Sequence, residues 1–305
     1  MRAAILAFLM MLGLLAGGAQ AAPRAGAQPL VDAAWLASRL DDADLVVIDV
    51  RSAEAYAAGH APGARSAPYS TFGWRTTVDG VPEQLPPVPQ IERLVAGLGV
   101  DAGSHVVVIP AGESSQDFGT ATRVYWTFKV LGHDRVSILD GGWKAWRAAA
   151  APVSTAAPPA RTGSFRARYR PQLRAELEEV AEALRKGTPL VDGRPPAQFS
   201  GAAKSGAVQT PGALPGAVNL PDSLLYDPAR ARFASRAEVA ALAGRLGVAR
   251  RGPVIAYCNT GHFASIAWFA LSEVLGNRRA ALYDGSMAEW TRDPARASLL
   301  RATAP

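Results

Sequence analysis

The chain has 305 residues, of which 49 % are hydrophobic and 19 % are charged, a composition typical of folded globular proteins. This composition excludes disordered and polytopic membrane proteins, and at about 100 to 200 residues per domain the length predicts two domains. One cysteine and four histidines exclude a disulfide scaffold and a cysteine-clustered metal site. The formal charge of +6, without runs of Lys or Arg, suits an anionic small molecule better than a nucleic acid.

The first residues are organised like a secretory signal peptide. Arg2 precedes an apolar stretch at residues 3–15, and the Ala-Gln-Ala triplet at residues 19–21 is a small-x-small cleavage pattern. The apolar stretch is shorter than the ~20 residues that a membrane-spanning helix needs, although an uncleaved anchor is the alternative. We therefore expect residues 1–21 to be removed and the mature protein to be exported, in a bacterium to the periplasm, without membrane attachment.

The two halves of the chain repeat the same motifs. The run VLGHDR at residues 130–135 recurs as VLGNRR at residues 274–279, and LDGGWKAW at residues 139–146 recurs as YDGSMAEW at residues 283–290. Between the copies, residues 148–163 are rich in Ala and Pro and show no apolar period, as is typical of a linker. Two domains of similar fold are therefore predicted on either side of this linker.

Within each copy, short apolar runs alternate with helical patterns. The apolar runs predict strands that are buried on both faces, at residues 45–50, 106–109, 136–139, 190–191, 254–257 and 281–283. Helical spacing follows the middle run of each copy, at Ala121, Val124, Tyr125, Phe128 and Leu131 and at Ala264, Ala267, Trp268, Leu271 and Leu275. This alternation predicts two α/β domains, residues 28–147 and 164–303, each a parallel sheet flanked by helices. Active sites in such folds lie beyond the carboxyl ends of the strands.

The single cysteine follows the strand that is predicted to end at Tyr257. Residues 258–263, with the sequence CNTGHF, connect this strand to a helix. A glycine-containing loop at a helix N-terminus can point several backbone N–H groups inward, and the helix dipole adds positive charge. Such a setting lowers the pKa of a thiol, so we expect Cys258 to be a nucleophile. A buried, inert thiol is the alternative.

The corresponding loop of the first copy, residues 110–117 with the sequence PAGESSQD, has no cysteine. Pro110 has no N–H group to donate, and the carboxylates of Glu113 and Asp117 would repel an anion. We therefore expect the first domain to lack catalytic activity and to serve as a packing partner or as one wall of a cleft.

Several further motifs occur in a fixed order along both copies. They are DxRxxExYxxGHxPGA at residues 49–64, LGH at 131–133, LDGG at 139–142, VDxRxxxxF at 191–199, PGAxNxP at 215–221, YCxTG at 257–261 and YDGS at 283–286. This set resembles the tandem-domain sulfurtransferases of the rhodanese superfamily, and the resemblance covers most of the chain after the signal peptide.

The resemblance implies a sulfurtransferase whose Cys258 takes a sulfane sulfur from a small anionic donor and holds it as a persulfide. The sulfur then passes to cyanide or to a thiol, including a protein thiol. Thiosulfate is the expected donor and 3-mercaptopyruvate the alternative, while a non-catalytic persulfide carrier in the periplasm is the alternative function. The two displacement steps need no metal and no organic cofactor.

The substrate is expected to contact the loop beside the cysteine. Its predicted binding residues are Asn259, Thr260, Gly261, His262 and Phe263. The resemblance also implies that Arg194 pairs with the departing anion, and an ion pair with Asp192 is the alternative. His262 either titrates near neutral pH and changes anion affinity, or is a surface imidazole without a role.

Two other enzyme classes are disfavoured by spacing. A cysteine phosphatase needs an arginine six positions after its nucleophile, where this chain has Ala264. A cysteine hydrolase needs a histidine partner, but His60, His105 and His133 all lie in the other copy.

Overall fold

The computed structural model describes residues 27–302. The predicted signal peptide, residues 1–21, lies outside the described residues. Over the described range no helix is both long enough and apolar enough to cross a bilayer.

The first half of the chain contains seven strands and five helices. They are β1 (Leu30–Val31), α1 (Ala33–Ala37), β2 (Leu45–Asp49), α2 (Ala53–Ala57), β3 (Arg65–Ser66), β4 (Thr76–Val78), β5 (Val81–Gln84), α3 (Val88–Gly97), β6 (His105–Ile109), α4 (Ser115–Val130), β7 (Val136–Leu139) and α5 (Gly142–Ala148).

The second half has a similar series of elements. They are β8 (Arg174–Ala175), α6 (Leu177–Lys186), β9 (Leu190–Asp192), α7 (Pro196–Phe199), β10 (Val218–Asn219), β11 (Tyr226–Asp227), β12 (Arg232–Phe233), α8 (Arg236–Arg245), β13 (Val254–Tyr257), α9 (His262–Phe269), β14 (Ala280–Tyr283), α10 (Ser286–Trp290) and α11 (Pro294–Ala297). Helix α9 continues into a π-helical turn, Ala270–Val274.

Each half forms one parallel five-stranded sheet, and the two sheets have the same strand order. The first is ordered β1-β7-β6-β2-β3, and the second, from the matching edge, is β8-β14-β13-β9-β10. The sheets and their flanking helices confirm the predicted α/β fold of both copies. Strands β6 and β13 are therefore the equivalent central strands, and the residues after Ile109 and Tyr257 occupy equivalent places.

Alternating side chains of each central strand belong to different hydrophobic clusters. On β13, Val254 and Ala256 join a large cluster that contains residues of both halves, whereas Ile255 and Tyr257 join a separate cluster of the second half. Since side chains of a strand alternate between faces, Cys258 continues the first series and lies in the shared cluster. The register of β13 thus directs the cysteine toward the other domain.

Helices α4 and α9, which follow the two central strands, pack against each other at the centre of the molecule. The hydroxyl oxygens of Thr122 and Ser265 lie 2.7 Å apart across this contact, and the rings of Tyr125 and Phe269 meet edge to face at 4.9 Å. Both helices begin at the carboxyl end of their strand, so their packing brings the two strand-end loops together.

The six predicted strands are confirmed, with ends that differ by one residue at most. The edge strands β1, β3, β8 and β10 and the antiparallel hairpins β4-β5 and β11-β12 were not predicted. Most of these strands have two residues and none has more than four, which is too short for a hydrophobic period to develop.

The predicted linker, residues 148–163, overlaps the end of α5 by one residue and then runs along the first domain. Ser154 exchanges two backbone hydrogen bonds of 2.9 Å with His60, and the Gly163 N–H donates to Ala96 O at 2.8 Å. His60 is buried, and its Nε2 lies 3.1 Å from Ala156 O. The segment is therefore attached to the domain surface, although it contains no regular element.

Candidate active site

Cys258 directly follows β13, and 1 % of the residue is exposed. The Cys258 N–H donates to Ser286 Oγ at 3.1 Å, and Cys258 O accepts the Met287 N–H at 3.0 Å. The first two residues of α10 therefore hold both the N–H group and the carbonyl group of the cysteine. This support fixes the position of the thiol.

The equivalent position of the first domain is held in the same way. Pro110 O accepts the Trp143 N–H at 2.8 Å and Ala111 O accepts the Lys144 N–H at 2.9 Å. In the second domain Asn259 O likewise accepts the Ala288 N–H at 2.8 Å. Pro110 thus occupies the position that Cys258 has in the second copy, as the repeat predicted.

The loop after Cys258 presents free backbone donors. Among residues 27–302, no acceptor is found for the N–H groups of Asn259, Thr260 or Gly261 or for those of His262 and Phe263, the first two residues of α9. Gly261 adopts φ +80°, a left-handed conformation that residues with a side chain rarely adopt. Unpaired donors at a helix N-terminus form a site for an anion.

In the first domain the corresponding donors are already occupied. The Asp117 carboxylate accepts N–H groups from Ala111 at 3.2 Å, from Glu113 at 3.1 Å and from Gly112. Burial raises the pKa of Asp117, although these N–H groups act in the opposite direction. A carboxylate of the chain itself therefore fills the place that an exogenous anion would take.

The two loops share one cleft of about 640 Å³ between the domains. It is lined by Tyr69, Glu83, Ser114, Gln116, Asp117 and Thr120 of the first half and by Gln198, Ser205, Cys258, Asn259, Thr260, His262 and Phe263 of the second. Five of the seven predicted site residues line it, whereas Gly261 and Arg194 do not. The first domain thus forms a wall of the cleft, and no lysine or arginine is among the lining residues.

His262 joins the two loops and stays neutral at physiological pH. Its Nε2 donates to Gln116 O at 2.7 Å, and its Nδ1 lies 3.4 Å from the Tyr69 hydroxyl. Burial lowers the pKa of His262 to about 4, and the positive charges of Arg123 and Arg75 lower it further, against the hydrogen bond to Gln116. The lowered pKa does not favour titration of His262 near neutral pH, and its contacts with Gln116 and Tyr69 do not favour an idle surface imidazole.

Asn259 is anchored to the short helix α7. Its Nδ2 donates to Gln198 Oε1 at 2.7 Å, while its Oδ1 is buried without a partner among the described residues. Gln198 therefore steadies the loop from within the second domain, and sequence reasoning gave no indication of this role.

Arg194 is engaged within its own domain. Its Nη2 lies 2.6 Å from Asp192 Oδ2 and 2.9 Å from Gly212 O, and the residue is 2 % exposed. Burial acts to lower the pKa of Arg194, but Asp192, Tyr257 and Cys258 outweigh it and the pKa is raised. The guanidinium is thus within electrostatic reach of the thiol but outside the cleft lining.

The first copy contains the same ion pair although it has no cysteine. Arg51 Nη2 lies 2.6 Å from Asp49 Oδ2 and 2.7 Å from Gly59 O. The pair is therefore part of the scaffold of both domains. A contact between Arg194 and a sulfur donor stays a prediction.

Sequence reasoning missed the contribution of Arg123 on α4, which reaches the cysteine loop from the first domain. A Cβ atom on Gly261 would lie only 2.6 Å from Arg123 Nη1. The apolar spacing of α4 was evident from the sequence. Only the packing of α4 on α9, however, shows that Arg123 faces the cysteine loop. No group of three or more candidate metal ligands occurs within residues 27–302.

The chain matches a known protein family in both halves. The model for the rhodanese-like domain matches residues 32–149 and again residues 176–293. A protein of Haloferax volcanii named "Putative thiosulfate sulfurtransferase" is 34 % identical over 276 residues, which cover 86 % of this chain and 92 % of that protein. The sulfur carrier protein TtuD of Thermus thermophilus is 29 % identical over 276 residues, covering 86 % and 93 % of the two chains.

Solved structures show the same fold. The 3-mercaptopyruvate sulfurtransferase SseA from Escherichia coli superposes with a TM-score of 0.73 at 27 % identity, covering 85 % of this chain and 98 % of that chain. An anaerobic ergothioneine biosynthesis enzyme from Chlorobium limicola has a TM-score of 0.76 at 21 % identity, covering 91 % of this chain and 71 % of that one. This chain belongs to the rhodanese-like family, as a sulfurtransferase with two tandem rhodanese-like domains.

Proposed function

We propose that the protein transfers a sulfane sulfur from thiosulfate to cyanide or to a thiol through a persulfide on Cys258. The observation that carries this proposal is the row of unpaired N–H groups beside the thiol. In the equivalent loop of the first domain, the corresponding N–H groups donate to the Asp117 carboxylate. A persulfide anion and an anionic sulfur donor are both stabilised by such N–H groups. A cleft of about 640 Å³ has room for the sulfur donor.

The chemistry consists of two displacements. The Cys258 thiolate attacks the outer sulfur of thiosulfate, a sulfur–sulfur bond to the enzyme forms, and the bond between the two thiosulfate sulfurs breaks. Sulfite leaves with that electron pair. The acceptor nucleophile then attacks the outer persulfide sulfur, the bond to Cys258 breaks, and the thiolate is restored. Neither step changes the net redox balance, so no external oxidant or reductant is required.

Two alternatives have specific support. The likeness to SseA favours 3-mercaptopyruvate as the donor, in which case a carbon–sulfur bond breaks and pyruvate leaves after protonation. The relative named sulfur carrier protein TtuD favours a protein that holds the persulfide for a partner. The named thiosulfate sulfurtransferases favour thiosulfate as the first donor to test.

The decisive experiment treats the purified protein with each donor and weighs it intact. We expect a mass increase of one sulfur atom with thiosulfate, no increase in Cys258→Ser, and release of the sulfur as thiocyanate when cyanide is added. An adduct only with 3-mercaptopyruvate would establish the alternative donor. A stable adduct without turnover would indicate the carrier, and no adduct with either donor would refute the sulfur-transfer proposal.

We further propose that the mature protein is exported after cleavage behind Ala21. The support is the charged, apolar and small-residue pattern of residues 1–21. Expression of the full chain in a bacterium, followed by cell fractionation and N-terminal sequencing, tests this proposal. A periplasmic product that starts at Ala22 is expected, and an intact N-terminus in the cytoplasm or membrane fraction would contradict it.

A further inference from the structure

The cleft poses an electrostatic problem for an anionic donor. Its lining includes the carboxylates of Glu83 and Asp117 and no lysine or arginine, and Arg194 of the second domain is paired with Asp192. A side-chain charge that adds to the unpaired N–H groups of the loop would then lie behind the lining residues.

Two arginines of the first domain lie behind the cysteine loop. Arg123 is fully buried, and its Nη1 and Nε have no hydrogen-bond partner among the described residues. Its Nη1 faces Gly261, whose neighbours Thr260 and His262 both line the cleft. One residue that lacks a side chain therefore separates this guanidinium from the anion site.

Arg75 adds a second charge beside the first. Its Nη2 donates to Arg123 O at 2.9 Å and to Thr127 Oγ1 at 2.7 Å, and its Nε and Nη1 are buried without partners among the described residues. Burial, together with the neighbouring charge of Arg123, lowers the pKa of Arg75 to about 10. Arg75 therefore remains protonated at neutral pH.

The nearby carboxylates do not neutralise the cluster. Asp284 pairs with Arg123 and lies 3.2 Å from Arg174 Nε, and Arg174 also pairs with Glu176 at 3.2 Å. Arg123 and Arg174 thus share the Asp284 carboxylate, and Arg75 has no ion-pair partner among the described residues, so its charge is not neutralised by direct contact. Burial acts to raise the pKa of Asp284, but Arg123, Arg174 and Arg75 outweigh it and the pKa is lowered.

We propose that Arg123 and Arg75, which belong to the domain without the cysteine, supply the positive potential with which the Cys258 loop holds an anion. They are positioning residues, because neither lines the cleft. A charge that is shielded from water acts over several ångströms with little screening by salt. The first domain is then an electrostatic part of the active site as well as its wall.

Gly261 makes this arrangement possible. Its φ of +80° turns the chain into α9, and the absence of a Cβ lets the guanidinium approach the loop backbone. The inference extends the proposed function, since it concerns anion binding at the same thiol, but it can be tested without any sulfur donor.

The test compares two alkylating reagents of similar size at one neutral pH. Iodoacetate carries a negative charge and iodoacetamide does not, and each forms a carbon–sulfur bond with Cys258 as iodide leaves. The chain has one cysteine, so intact mass reports Cys258 alone. The ratio of the two second-order rate constants cancels the thiolate fraction and measures the local potential.

We expect Arg75→Met and Arg123→Met to lower the iodoacetate-to-iodoacetamide ratio about three- to ten-fold, and the loss to persist at high salt. Arg123→Lys should keep the ratio within about two-fold. Arg93→Met, which removes an exposed arginine from α3 of the same domain, is the control for net charge and should leave the ratio unchanged.

An unchanged ratio in folded Arg75→Met would overturn the proposal. That variant leaves no carboxylate unpaired, so it remains informative if Arg123→Met fails to fold because Asp284 loses its partner. A lowered ratio together with no sulfur adduct from any donor would uphold the potential and refute the sulfur-transfer function. If both proposals hold, the KM for thiosulfate rises in the same two variants.

Discussion

The two strand-end loops of this protein have the same backbone support, but their N–H groups differ in whether the chain itself supplies an acceptor. Pro110 and Cys258 follow equivalent central strands, and their carbonyl groups accept equivalent N–H groups at 2.8 and 3.0 Å. In the first loop the Asp117 carboxylate accepts three backbone N–H groups, whereas in the second the N–H groups of residues 259–263 have no acceptor among the described residues. One copy thus contains its own anion, and the other presents unpaired N–H groups beside a thiol.

This difference shows how a duplicated domain divides its tasks. The scaffold elements, including the Asp49–Arg51 and Asp192–Arg194 pairs, are kept in both copies. The first copy has no cysteine, but it contributes a cleft wall, the Gln116 carbonyl group that accepts the His262 hydrogen bond, and the buried Arg123 behind Gly261. The absence of a cysteine from the first copy therefore does not separate it from the surroundings of Cys258.

The largest expected effect on stability comes from breaking the Asp–Arg ion pair that occurs once in each copy. We expect Arg51→Met and Arg194→Met each to lower the free energy of unfolding by about 3–5 kcal/mol, because each leaves a buried carboxylate without its partner. Urea unfolding measures the loss. A rise of the donor KM confined to Arg194→Met would establish that this residue contacts the donor, whereas an unchanged KM in both variants would leave the pair a purely structural role.

A second comparison concerns the left-handed glycine of each loop. Gly112 has φ +85° and Gly261 has φ +80°, so alanine costs about 1–2 kcal/mol at either position through backbone strain alone. A Cβ at Gly112 would also overlap the carbonyl oxygen of Gly141, whereas at Gly261 it would meet Arg123 Nη1.

We therefore expect Gly112→Ala to reduce the melting temperature more than Gly261→Ala does, because a backbone oxygen moves less easily than a guanidinium. Gly261→Ala should reduce the alkylation rate of Cys258 more. The opposite ranking in either measurement would show that the two loops are not equivalent in the way described above.

The contact between the loops predicts a loss of stability in acid. The pKa of His262 is lowered to about 4 from an ordinary value near 6.5, chiefly by burial, so the unfolded chain takes up its proton first as the pH falls. Stability is then fully present above pH 6.5 and decreases toward pH 4, by at most about 3 kcal/mol from this residue.

Urea unfolding at pH 7 and pH 4.5 measures this decrease, and His262→Gln should show a smaller one. His105, whose pKa is also lowered to about 4 by burial and by Arg135, continues to contribute in the variant. If the free energy of unfolding decreases equally in the protein and in His262→Gln, the imidazole of His262 is more hydrated than its contacts with Gln116 and Tyr69 indicate.

The smallest expected effect concerns the charge of the cleft wall. Glu83 is exposed, lines the cleft and has φ +62°, and its carbonyl oxygen accepts Arg123 Nη2 at 3.0 Å. Glu83→Gln removes one negative charge near the anion site, so we expect the KM for thiosulfate to fall about two- to three-fold at low salt. Asp79→Asn, on the same hairpin but outside the cleft, is the matched control and should not change it.

Much of the fold was accessible from the sequence because it depends on local pattern. The strands from Leu45, Val136 and Val254 are short, largely buried runs in which apolar residues predominate, and the recurring motifs indicated their places in both copies. The loop of Cys258 was located for the same reason, since a glycine between an apolar run and a helical pattern marks a strand end. Residues such as Gln198 and Tyr69 lie in segments without such a pattern, so their approach to the cleft was not predicted.

The sequence by itself determined the duplication, the α/β architecture and the position of the single thiol, because periodicity and repetition are properties of neighbouring residues. Only the tertiary structure decided what surrounds that thiol. The packing of α4 on α9 brings Gln116 to His262 and Arg123 to Gly261, and these contacts join residues more than a hundred positions apart. The depressed pKa of His262 and the buried positive charge behind the loop arise from this packing, since burial and Coulomb interactions depend on distance in space rather than along the chain.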